Sequence, residues 1–419
     1  MTRYRSVKGT RDLLPPETGV WAAVEAVARR VFGLYGYAEI RTPVLEHTEL
    51  FVRSVGEATD IVGKEMYTFE DRKGRSLTLR PESTASVARA YVEHGLHTWP
   101  QPVKLYYVGP HFRYERPQRG RYRQFHQIGA ELLGDDSPHA DAELLLMLMR
   151  FLRELRFRDL EVRLNTVGDA ASREAFREAL VAYLAPRTAA LSEDSRRRLG
   201  SNPLRILDSK HRGDRAILDE APELADHLTE PARRHFAAVR AALDRMGVAY
   251  VVDPRLVRGL DYYTQTVFEI VSRDLGAQDA LVGGGRYDDL VASLGGPAVP
   301  GIGFAIGEDR LVDVLPDAFR ATVSAVAPVV AVGVGEAGMG AVLGLGEDVR
   351  AAGIACEIEL SSRSLGATLK RADKSGVRIV LILGDEELAS DAVTVKDLER
   401  GTQERVPRHT LIETLETTR

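Results

Sequence analysis

The chain has one cysteine, Cys356, among 419 residues. That excludes an internal disulfide and any zinc site built from several cysteines, and it suits a reducing cytoplasm. Long apolar runs are missing too. The longest, such as Leu144 to Met149, fall far short of the ~20 residues that span a bilayer. The N-terminal MTRYRSVKGTRDLLPPE lacks the apolar centre of a signal peptide. A cytoplasmic protein without a membrane anchor is expected. No internal repeat and no low-complexity segment occurs. Nor does charge of one sign prevail: 56 Lys+Arg against 61 Asp+Glu leave a net −5, so a nucleic-acid partner would have to meet a local basic patch. What remains is an ordinary globular composition at a length that favours two or three domains.

The one dense basic patch lies within Tyr106 to Glu131, YYVGPHFRYERPQRGRYRQFHQIGAE. Val103 to Val108 has the aromatic and β-branched content of a strand, and Arg123 to Glu131 alternates with a period near two. Pro117 and Gly120 mark a turn between them, so a long β-hairpin with a basic loop is predicted. Arg113, Arg116, Arg119, Arg121 and Arg123 face a single acid, Glu115. Forked, permanently charged guanidinium groups suit phosphate. Arg113/Glu115 and Arg123/Phe125 are each two apart, so on a strand each pair shares a face. A nucleotide on that face could meet arginine at phosphate, phenylalanine at the base and glutamate at an exocyclic amine. The competing reading is a solvated hairpin whose arginines keep an edge soluble.

Elsewhere the pattern is regular. Val20, Val24, Val27, Val31 and Leu34 predict a helix over Glu17 to Tyr35, ended by Gly36. Ala38 to Leu45 reads as a strand interrupted by Pro43. Met66 to Arg80 reads as a hairpin turning at Lys73-Gly74, and Pro81-Glu82-Ser83-Thr84 opens a helix over Ala85 to Glu93. Glu82 alone reads as an acid capping that helix. A helix over Ala140 to Phe157 and a strand over Glu161 to Val167 follow, then a charged, helix-rich stretch from Asp169 to Val252. Its triplet Arg196-Arg197-Arg198 is either a solvated face or an RNA contact. Strand character returns in LVRGLDYYTQTVFEI, ALVGGGRYD and PGIGFAIGEDRL. The three adjacent glycines imply a close backbone approach or a tight turn, and no G-x-G-x-x-G fingerprint is present there. From Ala327 the order is βαβαβ: strands Val329–Val334, Ala355–Leu360 and Val377–Leu383 around helices Gly338–Ala351 and Ser364–Lys374. Val393–Leu398 and Gln403–Pro407 add strands, and a helix closes the chain from Thr410.

FRYERPQRGRYRQFHQ resembles motif 2 of the class II aminoacyl-tRNA synthetases in its histidyl-tRNA synthetase form. RGLDYYT and GGGRYD resemble the two histidine-specific signatures of that family, and GFAIGEDR resembles motif 3. The first helix and strand resemble motif 1, Asn202-Pro203-Leu204-Arg205 and Leu207-Asp208-Ser209-Lys210 resemble its helical insertion, and the C-terminal segment resembles the anticodon-binding domain. Motif 3 departs in one place, with Asp309 where glutamate is usual before Arg310.

The resemblance implies an α+β catalytic core, an antiparallel sheet flanked by helices. The core would run over 1–168 (motifs 1 and 2) and 254–325 (histidine signatures and motif 3). A helical insertion at 169–253 would divide it, and an α/β anticodon-binding domain would occupy 326–419. It implies ATP-dependent ligation of L-histidine to tRNA(His) through histidyl-adenylate, by a homodimer formed through motif 1. By the same match Arg258 and Arg113 hold the α-phosphate, and Arg123 and Arg310 hold the outer phosphates. Glu115 reads the adenine amine and Phe125 stacks on the base. Glu82, Thr84 and Gln127 take the amino group of histidine, Glu131 and Tyr263 read its imidazole, and Tyr262 and Tyr287 shape the pocket. Arg116 and Gln118 meet the acceptor end of tRNA. ATP brings Mg²⁺ as its substrate complex, and neither a tightly bound cofactor nor a protein-held metal is expected. Two rivals share motifs: the inactive paralogue that regulates ATP phosphoribosyltransferase, and a class II synthetase for another amino acid. Arg113, Arg258, Arg310 and the C-terminal domain oppose the first; RGLDYYT and GGGRYD oppose the second.

Overall fold

The computed structural model describes residues 4–56, 59, 61–118, 120–207, 209–272, 280–323, 328–360 and 364–418. Two compact units divide between Val323 and Ser324. The first opens with α1 (Glu17–Leu34), β1 (Ala38–Glu39), β2 (Leu45–His47), α2 (Thr48–Val55), the hairpin β3 (Tyr67–Glu70) and β4 (Ser76–Leu79), and α3 (Thr84–Glu93). The long hairpin β5 (Val103–Phe112) and β6 (Gln124–Leu133) follows, then α4 (Pro138–Glu154) and β7 (Leu160–Thr166). After it come α5 (Ala170–Leu184), α6 (Glu193–Ser201), α7 (Arg212–Leu218), α8 (Glu230–Arg245) and β8 (Tyr250–Val252). The unit closes with β9 (Thr264–Ser272), β10 (Ala280–Arg286), α9 (Leu290–Ser293), β11 (Gly301–Gly307), α10 (Glu308–Asp313) and α11 (Asp317–Arg320).

Eight strands form one sheet in the order β1-β5-β6-β11-β10-β9-β7-β8. The six central strands are antiparallel, while β1 on β5 and β8 on β7 make parallel edges. The period of two divides the work of β6. Ile128, Ala130 and Leu132 face the core with Val24, Val31 and Phe32 of α1 and Leu145, Leu148 and Phe151 of α4. The odd residues, Gln127 to Leu133, point to the opposite face, where Leu133 packs with Leu105 and Tyr107 of β5 and Val87 and Tyr91 of α3. That second face carries the polar side chains.

The strand expected over Ala38–Leu45 is divided. Its first part pairs with β5, and β2 instead joins β4 and β3 in a separate three-stranded sheet. Pro43 lies at the break, where it has no N–H to give to a ladder. The helices of 169–253 do not all pack on one cluster. Phe176, Leu180, Leu184, Ile206, Leu218 and Leu224 cluster with Val167, Leu256 and Val267. Val239, Ala242 and Leu243 of α8 pack into the main core instead, and β8 extends the main sheet.

In the second unit β12 (Val329–Gly333), α12 (Gly335–Ala351), β13 (Cys356–Glu359), α13 (Leu365–Lys374) and β14 (Ile379–Leu383) give the βαβαβ order. Then come α14 (Asp385–Ala389), β15 (Ala392–Asp397), β16 (Thr402–Pro407) and α15 (Leu411–Thr418). β13, β12 and β14 are parallel, and β15 and β16 add antiparallel. Cys356 is free and buried.

Glu308, at the start of α10, is fully buried, and neither carboxyl oxygen has a hydrogen-bond partner among the described residues. Burial, then the nearby Glu25 and Asp309 carboxylates, push its pKa up to about 9. The unfolded chain would ionise it near 4.3. Its contribution to stability is therefore full below that value and is lost as pH rises toward 9. Glu308→Gln removes this dependence. Unfolding free energies should show the variant more stable by several kcal/mol near pH 8, with little difference near pH 4.5. The same gap at both pH values would contradict the assignment.

Candidate functional site

Glu131 is the centre of the polar face. Its carboxyl accepts hydrogen bonds from Thr84 Oγ1 at 2.7 Å and Tyr107 OH at 3.3 Å on one oxygen, and from Tyr287 OH on the other. Burial nevertheless pushes its pKa up to about 8, against these donors. The acid fits because β11 has glycine beside it: a Cβ on Gly303 would lie 1.7 Å from Glu131 Oε2. The Tyr262 ring stands 4.7 Å from that of Tyr263 and 5.7 Å from that of Tyr287. Gln127 shares the face, and its Oε1 has no partner among the described residues. Glu82 accepts the N–H groups of Thr84 at 2.7 Å and Ala85 at 3.0 Å, so it does cap α3. Its burial raises its pKa against those two donors and the charge of Arg113. Glu82, Thr84, Gln127, Arg113, Tyr262 and Tyr287 line a cavity of about 120 Å³. Buried carboxyls among phenols suit a small molecule with an ammonium group and a ring bearing N–H.

Arg258 sits in the wall between that cavity and a second one. Its Nη1 pairs with Glu269 of β9, and a Cβ on Gly283 would lie 1.9 Å from its Nη2. The second cavity, about 690 Å³, is lined by Arg258 with Arg121, Arg163, Lys210, Arg215, Arg255 and Arg310, against the acids Asp253 and Glu269. Such an excess of cations suits a polyanion. Among the described residues no group of three or more His, Cys, Asp or Glu side chains is placed to hold a metal ion.

The hairpin loop departs from a continued strand. The ladder ends at the pair Phe112–Gln124, and beyond it the only described bridge is Gln118–Arg121. Side chains there no longer alternate. Arg113 lies over the Phe125 ring at 5.3 Å and donates from Nε to the Pro81 carbonyl at 2.9 Å. Phe125 in turn stacks on the buried His111, 5.9 Å between centroids. Arg123 rests on the Tyr114 ring at 3.8 Å, away from both cavities, and Glu115 pairs with Arg121 at 3.0 Å. Arg116 and Gln118 are exposed; Arg119 lies outside the described residues. The structure thus gathers Arg113, Arg258, Arg310 and the Glu82, Thr84, Gln127, Glu131, Tyr262, Tyr263 and Tyr287 set around two adjoining cavities. It leaves Arg123 and Glu115 aside from them, and Phe125 touches the set through Arg113.

Sequence reasoning missed Arg121 and Tyr107. A signal for Tyr107 exists in the hairpin register, which sets it opposite Gly129 on the face of Glu131. A Cβ on Gly129 would lie 2.3 Å from the Tyr107 ring, so glycine there lets the phenol lie flat on β6. Arg310 donates to the Ala280 carbonyl at 2.9 Å and lines the basic cavity. Asp309 faces elsewhere. It accepts from Arg11 at 3.1 Å and from the His126 N–H at 2.8 Å, joining the N-terminal segment and the root of β6 to α10. The same segment grips Arg123, whose N–H donates to the Gly9 carbonyl at 2.7 Å.

The family model for histidyl-tRNA synthetase matches residues 9–311, and that for the anticodon binding domain matches 326–418. A protein of Nitratidesulfovibrio vulgaris named histidine–tRNA ligase is 51% identical over 410 residues, covering 97% of each chain. One of Synechococcus elongatus with the same name is 49% identical over 413 residues, 99% of this chain and 95% of the other. Among solved structures, apo histidyl-tRNA synthetase of S. aureus matches with a TM-score of 0.84 and 36% identity, over 98% of this chain and 99% of that one.

Proposed function

The chain belongs to the histidyl-tRNA synthetase family, and from that premise we propose that its two adjoining cavities activate histidine with ATP and pass it to tRNA(His). The observation that carries the reading is the place of Arg258, in the wall shared by the acid-lined and the cation-lined cavity. A histidine carboxylate oxygen attacks the α-phosphorus of ATP, the bond from that phosphorus to the α,β-bridging oxygen breaks, and pyrophosphate leaves. A ribose hydroxyl of the terminal adenosine of tRNA then attacks the adenylate carbonyl, and AMP leaves. Positioning and neutralisation of phosphate charge carry most of the rate.

Arg258 and Arg113 hold the α-phosphate. Arg310 holds the outer phosphates, and Arg121, which lines the basic cavity, takes the share that the family pattern gives Arg123. Glu115 turns from Arg121 to the adenine amine, and Phe125 stacks on the base. Mg²⁺ enters with ATP as part of the substrate. Glu82, Thr84 and Gln127 receive the amino group, and the bare Gln127 Oε1 suits an ammonium donor. Glu131 and Tyr263 take the two imidazole nitrogens, and Tyr262 and Tyr287 wall the pocket. Arg116 and Gln118 meet the acceptor end. The protein works as a dimer through the motif 1 region, where Leu34 and Leu45 are exposed. No helix among the described residues is long and apolar enough to cross a membrane, and a cytoplasmic site of action fits the tRNA substrate.

Histidine-dependent ATP–pyrophosphate exchange, with other amino acids as controls, tests this. Exchange with histidine alone is expected. Histidine binding without exchange would favour the regulatory paralogue and make Asp309→Glu the first reversion to try.

A further inference from the structure

The segment 253–263 carries Arg258, Tyr262 and Tyr263 but forms neither helix nor strand. Its first half is tied to β7 of the main sheet. The Asp253 N–H donates to the Leu164 carbonyl at 3.0 Å, and Asn165 Nδ2 donates to the Leu256 carbonyl at 3.0 Å. Past Leu256 the ties change. The Asp261 N–H donates to the Val55 carbonyl at 3.2 Å, and two side chains of the helical insertion reach across. Asn202 Nδ2 donates to Asp261 Oδ1 at 2.8 Å, and Arg173 Nη1 donates to the Tyr263 carbonyl at 2.6 Å.

Both contacts are themselves held. Arg173 stands in the first turn of α5, whose N-cap Asp169 accepts from the Ser172 N–H and from Thr229 Oγ1 at the far end of the insertion. The Asp261 carboxylate is wedged from the other side, since a Cβ on Gly56 would lie 2.3 Å from its Oδ2. Between the contacts lies a cavity of about 370 Å³, lined by Arg173, Asn202, Arg205, Arg258, Asp261 and Tyr263. Leu256, Val257 and Tyr263 of the segment pack with the apolar side chains of the insertion, and beyond that packing Asp261 and the Tyr263 carbonyl are held at discrete polar points around the hollow.

We propose that Arg173 and Asn202 are positioning residues that hold the 258–263 segment, so that the seating of the insertion on the core sets the placement of Arg258 and Tyr263 for histidine activation. This rests on the synthetase reading above. The two residues touch no substrate. They act through Asp261 and the Tyr263 backbone, and a displacement of about 1 Å at a reacting group is enough to cost ~10²-fold in rate.

The test is pyrophosphate exchange with kcat and the KM for histidine and ATP measured separately, beside thermal unfolding. Asn202→Asp sets a second carboxylate against Asp261, whose own pKa burial already raises. It should lower kcat and raise the histidine KM, ~10²-fold in their ratio, while the ATP KM holds within about two-fold. Adding Asp261→Asn to Asn202→Asp reverses donor and acceptor across the same contact and should restore most of the loss. Arg173→Ala should lose about ten-fold in the same ratio and Arg173→Lys less, since lysine still reaches a carbonyl. Arg177→Ala, one turn further along α5 and paired with Glu174, should match wild type. The inference is overturned if Asn202→Asp leaves the histidine KM unchanged. It also falls if the double exchange is no better than the single, or if the loss tracks only a lower melting temperature. Wild type without histidine-dependent exchange would instead overturn the synthetase reading itself, and this inference with it.

Discussion

Arg258→Ala should lower histidine-dependent pyrophosphate exchange by about 10³-fold, with thermal unfolding little changed. The guanidinium supplies fixed charge and directed donors where the two cavities meet, and no neighbouring group can replace both. The fold should tolerate the loss. Glu269, its partner, lies directly across from Arg163 of β7 and so keeps a cation beside it. Arg258→Lys, which keeps charge but loses the fork, should fall between. Gly283→Ala is the complementary test, because its methyl would lie 1.9 Å from Arg258 Nη2 and displace the group without removing it. Near-normal exchange in Arg258→Ala would end the proposed role.

Glu131→Gln should lower kcat/KM for histidine by about 10³-fold while the KM for ATP stays nearly constant. The carboxyl accepts from three hydroxyls, and under the proposed function it accepts from the imidazole as well. An amide brings an N–H into a ring of donors, so at least one buried polar group is left unpaired. Gly303→Ala should act similarly, since a methyl there would overlap Glu131 Oε2. If either variant raised the KM for ATP as much as that for histidine, the acid would be holding the sheet and not reading the ring.

In the second unit β12, β14 and β15 were legible as short apolar-rich runs bounded by turn residues, β13 and β16 carry a weaker alternating pattern, and β12 to β16 fall within a residue or two of the expected limits. The assignment of α8 was not. An apolar stripe such as Val239, Ala242 and Leu243 looks the same whether it packs on the insertion or on α4, and only the tertiary structure chooses. Around the site, the motif strings brought together residues as far apart as Glu82 and Tyr287, which no local period could do. Periodicity failed at Arg123 for a definite reason: alternation was carried past Gln124, where the ladder stops, so Arg121 takes the place facing the cavity. Tyr107 was hidden because an aromatic on a buried strand reads as core.

The clasp of the N-terminal segment on the hairpin has a mechanical consequence. The Arg123 N–H is held by the Gly9 carbonyl, the His126 N–H by Asp309, and Asp309 by Arg11. A loop fixed at its root behaves as a short lever whose fulcrum lies beyond Arg113 and Arg123. A pull on Arg116 would then swing the tip, including Glu115 and Arg121, while Arg113 keeps station over the Phe125 ring. Cutting the clasp would move the fulcrum back to the end of the ladder at Phe112 and Gln124, and the same pull would then reach Arg113 and shift it over the Phe125 ring.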